Sequence, residues 1–182
     1  SIVHTSVLAL GGNHLTHDIA IGLGAPLREA EEIKHKFGVA MANMVEENEM
    51  IDVPSVGGRN NRTMQKRVLA SIIEDRFREI FELIAHEIEK THFHTLMASG
   101  VVITGGTCIM SGADRLASQV LNLPVRVGYP ENISGLREMI YSPKYATSVG
   151  LVRYGITSNQ GKLNFVGDDT NLFHKVSRRM KD

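Results

Sequence analysis

Cysteine is nearly absent: Cys108 stands alone among 182 residues, so no internal disulfide can form and stability must come from burial. Such usage fits the reducing cytosol. Tryptophan is missing and aromatic residues make up only 5%, which disfavours a stacking platform for single-stranded nucleic acid. Neither sign of charge dominates, with Lys plus Arg and Asp plus Glu at 20 each, so no global field draws the chain to nucleic acid or lipid. A charged partner must be met by a local patch. No apolar run approaches the ~18 residues that a membrane span needs. The opening SIVHTSVLALGG lacks the basic leader and continuous apolar core of a signal peptide. Also missing are a Gly-x-Ser-x-Gly elbow, a Walker loop and a Ser/His/Asp pattern, so no self-sufficient catalytic site is legible. What is there is a 42% hydrophobic chain, long enough for one ordinary domain or two small lobes sharing a core.

The order of elements can be read from periodicity. Residues 2–10 mix alternating and β-branched character and read as a strand, broken by Gly11 and Gly12. Asn13 then caps a helix in which Leu15, Ile19 and Leu23 recur every four positions, and Gly24 ends it. Pro26 opens a second helix with Leu27, Ala30, Ile33 and Phe37 on one stripe, and Gly38 is its stop. Short strands are expected at 50–53 and 62–64, joined by a turn at Gly57 and Gly58. The longest helix covers 66–91, with Leu69, Ile72, Ile73, Phe77, Ile80, Ile84 and Ile88 on one side. On its charged side Glu74 can pair with Arg78 one turn on. Gly100 opens a wholly apolar strand, Val101 to Ile103, of the kind buried on both faces of a sheet. Ser111 caps the helix that follows, with Ala113, Leu116, Ala117 and Val120 inward, and 124–127 is another strand. Ser142 and Pro143 open a last core helix, where Ala146 and Gly150 leave room for another backbone. From Thr157 the chain reads as a linker. Strand and helix alternating from residue 100 onward imply an α/β sheet, and the glutamate-rich middle reads as an inserted lobe.

Chemistry concentrates at Gly105 and Gly106, directly after a buried strand. Paired glycines there let the backbone approach a ligand at the carboxyl end of the sheet, though a plain strand-to-helix turn needs them equally. Gly11 and Gly12 repeat the arrangement. Glu31 and Lys34 lie three apart on one helical face, where they serve either a shared polar ligand or an ordinary surface ion pair. None of the eight histidines has a third ligand at metal spacing: His92 and His94 lack an acidic or cysteine partner, and so do His14 and His17. Neither a metal site nor a catalytic residue is expected. Cys108 reads as a small core residue.

Three stretches, LALGGNHLTHDIAIGL, AEEIKHKFG and VVITGGTCIMSGADRLA, together resemble the actin-like ATPases. HTSVLALGGNHLTHDIAIGL followed by EAEEIKHKFG narrows the resemblance to the FtsA family, and YSPKYATSVGLVRYG is similar to its last core helix. The resemblance implies an α/β chain forming half of an actin-like (ribonuclease H-like) ATPase fold, a mixed sheet with helices and an inserted small α+β lobe. Residues 1–23 and 97–157 would be subdomain 2A-like, 24–96 a 2B-like insertion, and 158–182 a linker and basic amphipathic tail. Gly12, Gly105, Gly106 and Thr107 would lie at the adenosine side of the cleft, with Glu31 and Lys34 at the Glu-x-x-Lys positions that address ribose and adenine.

The resemblance also implies a cofactor, partners and a place in the cell. ATP with Mg would bind the intact protein, at most a weak ATPase. The first phosphate loop, the 1C subdomain and the acidic Asp-x-Gly-x-Gly-Thr turn have no counterpart, the last being expected just before Ser1. A C-terminal fragment is therefore expected, inactive and holding nucleotide poorly by itself. The implied partners are the C-terminal tail of FtsZ, received near Arg76 and Arg78, a second copy in a filament, and the inner membrane. Membrane contact would run through Leu172, Phe173, Val176, Arg178, Arg179 and Met180, placing the protein on the cytoplasmic face at the division site. Other actin-like ATPases stay open as alternatives: a pilus-assembly adaptor, or half of a heat-shock-type or sugar-kinase-type enzyme.

Overall fold

A computed structural model describes residues 2–53, 62–91, 97, 99–131 and 140–159. Helix α1 spans Gly12–Leu23. Gly11, not Asn13, is its cap: the His14 amide donates to the Gly11 carbonyl at 3.0 Å, and the Gly11 amide donates back to His14 Nδ1 at 3.3 Å. The helix ends as expected at Gly24, which takes a left-handed φ of 55°. Helix α2, Leu27–Phe37, follows Pro26 directly and buries Ala30 and Ile33, while Leu27 stays exposed. Gly38 stops it.

Strands β1 (Met50–Val53) and β2 (Arg62–Gln65) pair antiparallel, with Ile51 opposite Met64. The turn expected at Gly57 and Gly58 falls outside the described residues. Helix α3, Lys66–Lys90, is the longest element and buries Leu69, Ile73, Phe77 and Phe81. Its charged side carries the expected Arg78 to Glu74 pair at 3.0 Å. Strands β3 (Val101–Ile103) and β4 (Val125–Val127) run parallel, with Val102 opposite Arg126, joined through a 3-10 turn at Gly106–Ile109 and helix α4, Ala113–Leu121. A final helix, α5, covers Ala146–Asn159 after a 3-10 turn at Pro143–Tyr145.

Five further expectations are corrected. Residues 2–10 are not a strand: Val3 and Val7 are exposed, and no described strand lies beside them to supply the hydrogen bonds that alternation alone cannot. The cap of α4 is Gly112 in the left-handed region (φ 85°), because Ser111 bridges to Val39 and its carbonyl accepts the Ala40 amide at 2.9 Å. A Cβ at Gly112 would also press on Met44. Strand β3 is buried on one face only. Val101 and Ile103 pack on the core, whereas Val102, pointing the other way, is 51% exposed. Around Gly150 no backbone approaches: among the described residues no atom lies within 4 Å of where its Cβ would sit. Lastly, Thr157 to Asn159 continue the helix instead of starting a linker.

The chain divides into two compact units, residues 1–146 and 147–182. In the first, one continuous buried cluster joins Leu15, Ile19 and Leu23 of α1 to Ile73 and Phe77 of α3 and Leu116 of α4. In the second, α5 exposes Leu151, Val152, Tyr154 and Ile156. No described helix is long and apolar enough to cross a membrane. Because Ile73 is fully buried, Ile73→Ala should destabilise the first unit by about 2–5 kcal/mol through lost transfer energy and the cavity left behind. Urea unfolding monitored by circular dichroism measures this, and a loss near zero would show that the site is not packed as described.

Candidate functional site

Three glycine-punctuated segments converge on one cleft of about 510 Å³. The start of α1 supplies Gly12, α2 supplies Glu31 and Lys34, and the turn after β3 supplies Gly106 and Thr107, with Lys144 beside Gly106. Five of the six expected nucleotide residues therefore meet, although Gly12 and Thr107 are far apart in sequence. Gly105 does not line the cleft. Its φ of 109° belongs to glycine, and its amide donates to the Pro143 carbonyl at 3.2 Å, which turns the following residues inward. Gly12 is required for a different reason. A Cβ there would collide with Thr107 Oγ1, so the two segments touch only because the side chain is missing.

At the floor of the cleft lies a buried ammonium. Lys34 Nζ donates to the Gly12 carbonyl at 3.1 Å, to Thr16 Oγ1 at 2.8 Å and to Glu31 Oε2 at 2.6 Å. All three of its N–H groups have acceptors, the condition under which a charge is tolerated out of water. The Thr16 hydroxyl in turn donates to Glu31 Oε2. The other carboxylate oxygen, Oε1, stands 2.9 Å from His35 Nε2. Desolvation pushes the Glu31 carboxyl up, but hydrogen bonds from Lys34 and Thr16 and the charges of Lys34 and His35 together hold it below the ordinary 4.5.

Sequence reasoning missed Thr16, His35 and Lys144. Thr16 had a usable signal, since it stands one helical turn from Gly12 on the same face. Lys144 had none; it reaches the cleft from a separate segment, where the Thr104 hydroxyl and Gly105 amide hold the Pro143 carbonyl. Among the described residues Glu31 is the one carboxylate lining the cleft. Among the described residues no group of three or more His, Cys, Asp or Glu side chains is placed to hold a metal ion. Cys108 is half-buried against the Thr104 carbonyl at 3.2 Å, and burial pushes its thiol up, away from reactivity. His92, His94 and all the tail residues from Leu172 to Met180 lie outside the described residues.

The two arginines of α3 differ. Arg76 is bound through Nε and Nη2 to Asp18 of α1, the Nη2 to Oδ1 distance being 3.0 Å, and through Nη1 to Glu79 at 2.5 Å. Arg78 pairs with Glu74 on its own helix and is 43% exposed, against 25% for Arg76.

The geometry has parallels among known proteins. MreB5 of Spiroplasma citri, in crystal structures bound to ADP and to AMPPNP, superposes with TM-scores of 0.66 and 0.64 at 15% identity. The overlaps cover 86% and 85% of this chain and 47% and 46% of those. At that identity the likeness establishes the fold alone: part of an actin-like fold. Residues 1–150 match the family described as Cell division protein FtsA, and the chain belongs to that family. The FtsA of Pseudomonas aeruginosa is 40% identical over 156 residues, 86% of this chain and 37% of that protein. That of Escherichia coli is 40% identical over 163 residues, 86% of this chain and 39% of the relative. For Borreliella burgdorferi the figures are 33% over 180 residues, 98% and 44%. The chain thus spans about two fifths of the length of these curated relatives.

A carboxyl whose folded pKa is depressed stabilises above its ordinary value and loses that contribution as pH falls through the lowered one. The difference in melting temperature between the parent and Glu31→Gln should therefore be full above pH 4.5 and shrink as the pH drops further. Thermal melts across the acid range test this; a gap that widens on acidification rejects it.

Proposed function

We propose that this chain is one wall of the nucleotide cleft of an actin-like, ATP-binding scaffold of bacterial cell division. The observation that carries the reading is the convergence of Gly12, Glu31, Lys34, Gly106 and Thr107 on one polar cleft in a chain of the FtsA family. A bare glycine backbone beside a charged network suits the close approach of a nucleoside. In this reading residues 1–23 and 97–157 act as subdomain 2A and 24–96 as subdomain 2B. ATP with Mg binds when the rest of the cleft is present, and this wall contributes no catalytic group. The assembled protein polymerises with its own copies, receives the FtsZ tail on the α3 side near Arg78, and rests on the cytoplasmic face of the inner membrane through the basic, amphipathic 171–182 segment.

Titration calorimetry with Mg-ATP tests the cleft. The isolated chain should bind weakly, because the phosphate-binding elements of the fold are not among its residues, and micromolar binding would overturn this. In a protein of the relatives' full length, Lys34→Ala should lower affinity by about tenfold or more. Gly106→Val should block binding, its side chain projecting where the ligand passes. Unchanged affinity in the Gly106 variant removes that residue from the site.

The docking part has its own test, read by fluorescence anisotropy with an FtsZ tail peptide. Arg78→Glu should weaken binding by replacing a guanidinium suited to carboxylates with a repelling charge. Binding equal to the parent's counts against this face.

A further inference from the structure

Thr16 and Lys34 are the two buried polar side chains among the described residues, 6% and 7% exposed, and they touch each other. Packing alone does not call for a threonine in the middle of α1. Valine would fill the same space without a hydroxyl to satisfy, and both are β-branched and stiff at χ1. What the hydroxyl adds is a set of polar contacts: it accepts from Lys34 Nζ at 2.8 Å, and its one proton is offered to Glu31 Oε2, the nearer acceptor, and to the Gly12 carbonyl at 3.2 Å.

The consequence concerns what the cleft offers a ligand. With Gly12, Thr16 and Glu31 as acceptors, the Lys34 ammonium has spent every N–H inward and keeps none for a ligand. Glu31 Oε2 is likewise engaged twice. The group left to meet a ligand is Glu31 Oε1, on the exposed side, with His35 Nε2 at 2.9 Å. An ionised carboxylate oxygen only accepts, so it selects a ligand hydroxyl or amine. Nothing intrinsic fixes its aim, because the terminal torsion of glutamate is broad and roughly two-fold. The orientation comes from its contacts, Thr16 and Lys34 on Oε2 and His35 on Oε1, and of these Thr16 and Lys34 are the buried, fixed ones.

We propose that Thr16 is a positioning residue of the nucleotide site: by gripping Glu31 Oε2 together with Lys34, it aims Oε1 at a ribose hydroxyl of the nucleotide. This rests on the nucleotide reading above. Thr16 touches no ligand; it acts through Glu31.

The test compares Mg-ATP with Mg-2′-deoxy-ATP by calorimetry, in a protein of the relatives' full length. The parent should prefer ATP by about tenfold, the worth of one good hydrogen bond to a charged group. Thr16→Ser, which keeps the hydroxyl, should retain the preference. Thr16→Val and Glu31→Gln should each bring the ratio close to one, and combining them should lower it no further. A Thr16→Val protein that binds both nucleotides more weakly yet keeps the parent's ratio would make Thr16 merely structural and overturn the proposal. So would a parent that binds both nucleotides equally. A parent that binds neither defeats the nucleotide reading itself, and this inference with it. Should Thr16→Val fail to fold, Lys34→Met removes the buried charge; there the single variant should keep part of the preference and its combination with Thr16→Val should keep none. Equal ratios in that pair would also overturn the proposal.

Discussion

The buried ammonium of Lys34 is the constraint around which the first unit is arranged. A charge removed from water needs each of its donors met, and the three acceptors come from different places: a backbone carbonyl of α1, a side chain of α1 and a side chain of α2. Meeting them fixes how α2 lies on α1. It also puts Gly12 against Thr107, since a Cβ at Gly12 would push the turn after β3 away. A buried ion pair is weak evidence of added stability, because its desolvation offsets most of the attraction. Its worth here is geometric: it holds two helices and a turn in one register around a cleft.

Helix α1 is asked to do two things at once, and its sequence separates them by face. Leu15, Ile19 and Leu23 face the core that α3 and α4 complete. Gly12 lines the cleft, Thr16 lies buried against Lys34 and Glu31, and Asp18 reaches across to Arg76. A 3.6-residue repeat allows this, since positions four apart share a face. The cleft is therefore seated on the same helix that anchors the longest element of the fold.

Much of this was legible in the residues. Leu69, Ile73 and Phe77 marked α3 because an apolar stripe of that length has no other use in a water-facing helix, and Gly24 marked a stop because it alone takes the left-handed turn cheaply. Gly106 marked the cleft through its position after a strand, whereas Gly105 beside it does not line it. What failed were statements that depend on a neighbour. Residues 2–10 alternate like a strand, yet pairing is a property of two segments. Val102 looked buried because Val101 and Ile103 are, but the two faces of a strand have separate fates. Ser111 has the chemistry of a cap and was diverted by its bridge to Val39. Lys144 was invisible for the same reason, and Thr16, although it shares a helix face with Gly12, gains its contacts to Lys34 and Glu31 only once two helices meet.

The two arginines of α3 show how such relations bear on partners. On sequence they are equivalent, two guanidiniums two positions apart on a charged helix. In the fold Arg76 is held at both ends, by Asp18 across the α1 boundary and by Glu79 on its own helix. A partner carboxylate could take it only by leaving Asp18, partly shielded from water, without its cation, which is costly. Arg78 faces water and holds Glu74 at (i, i+4), a pairing worth only a few tenths of a kcal/mol. Exchanging that for an incoming carboxylate costs little. Of the two guanidiniums, Arg78 is therefore the one free to change partners at little cost, and Arg76 is committed between the helices.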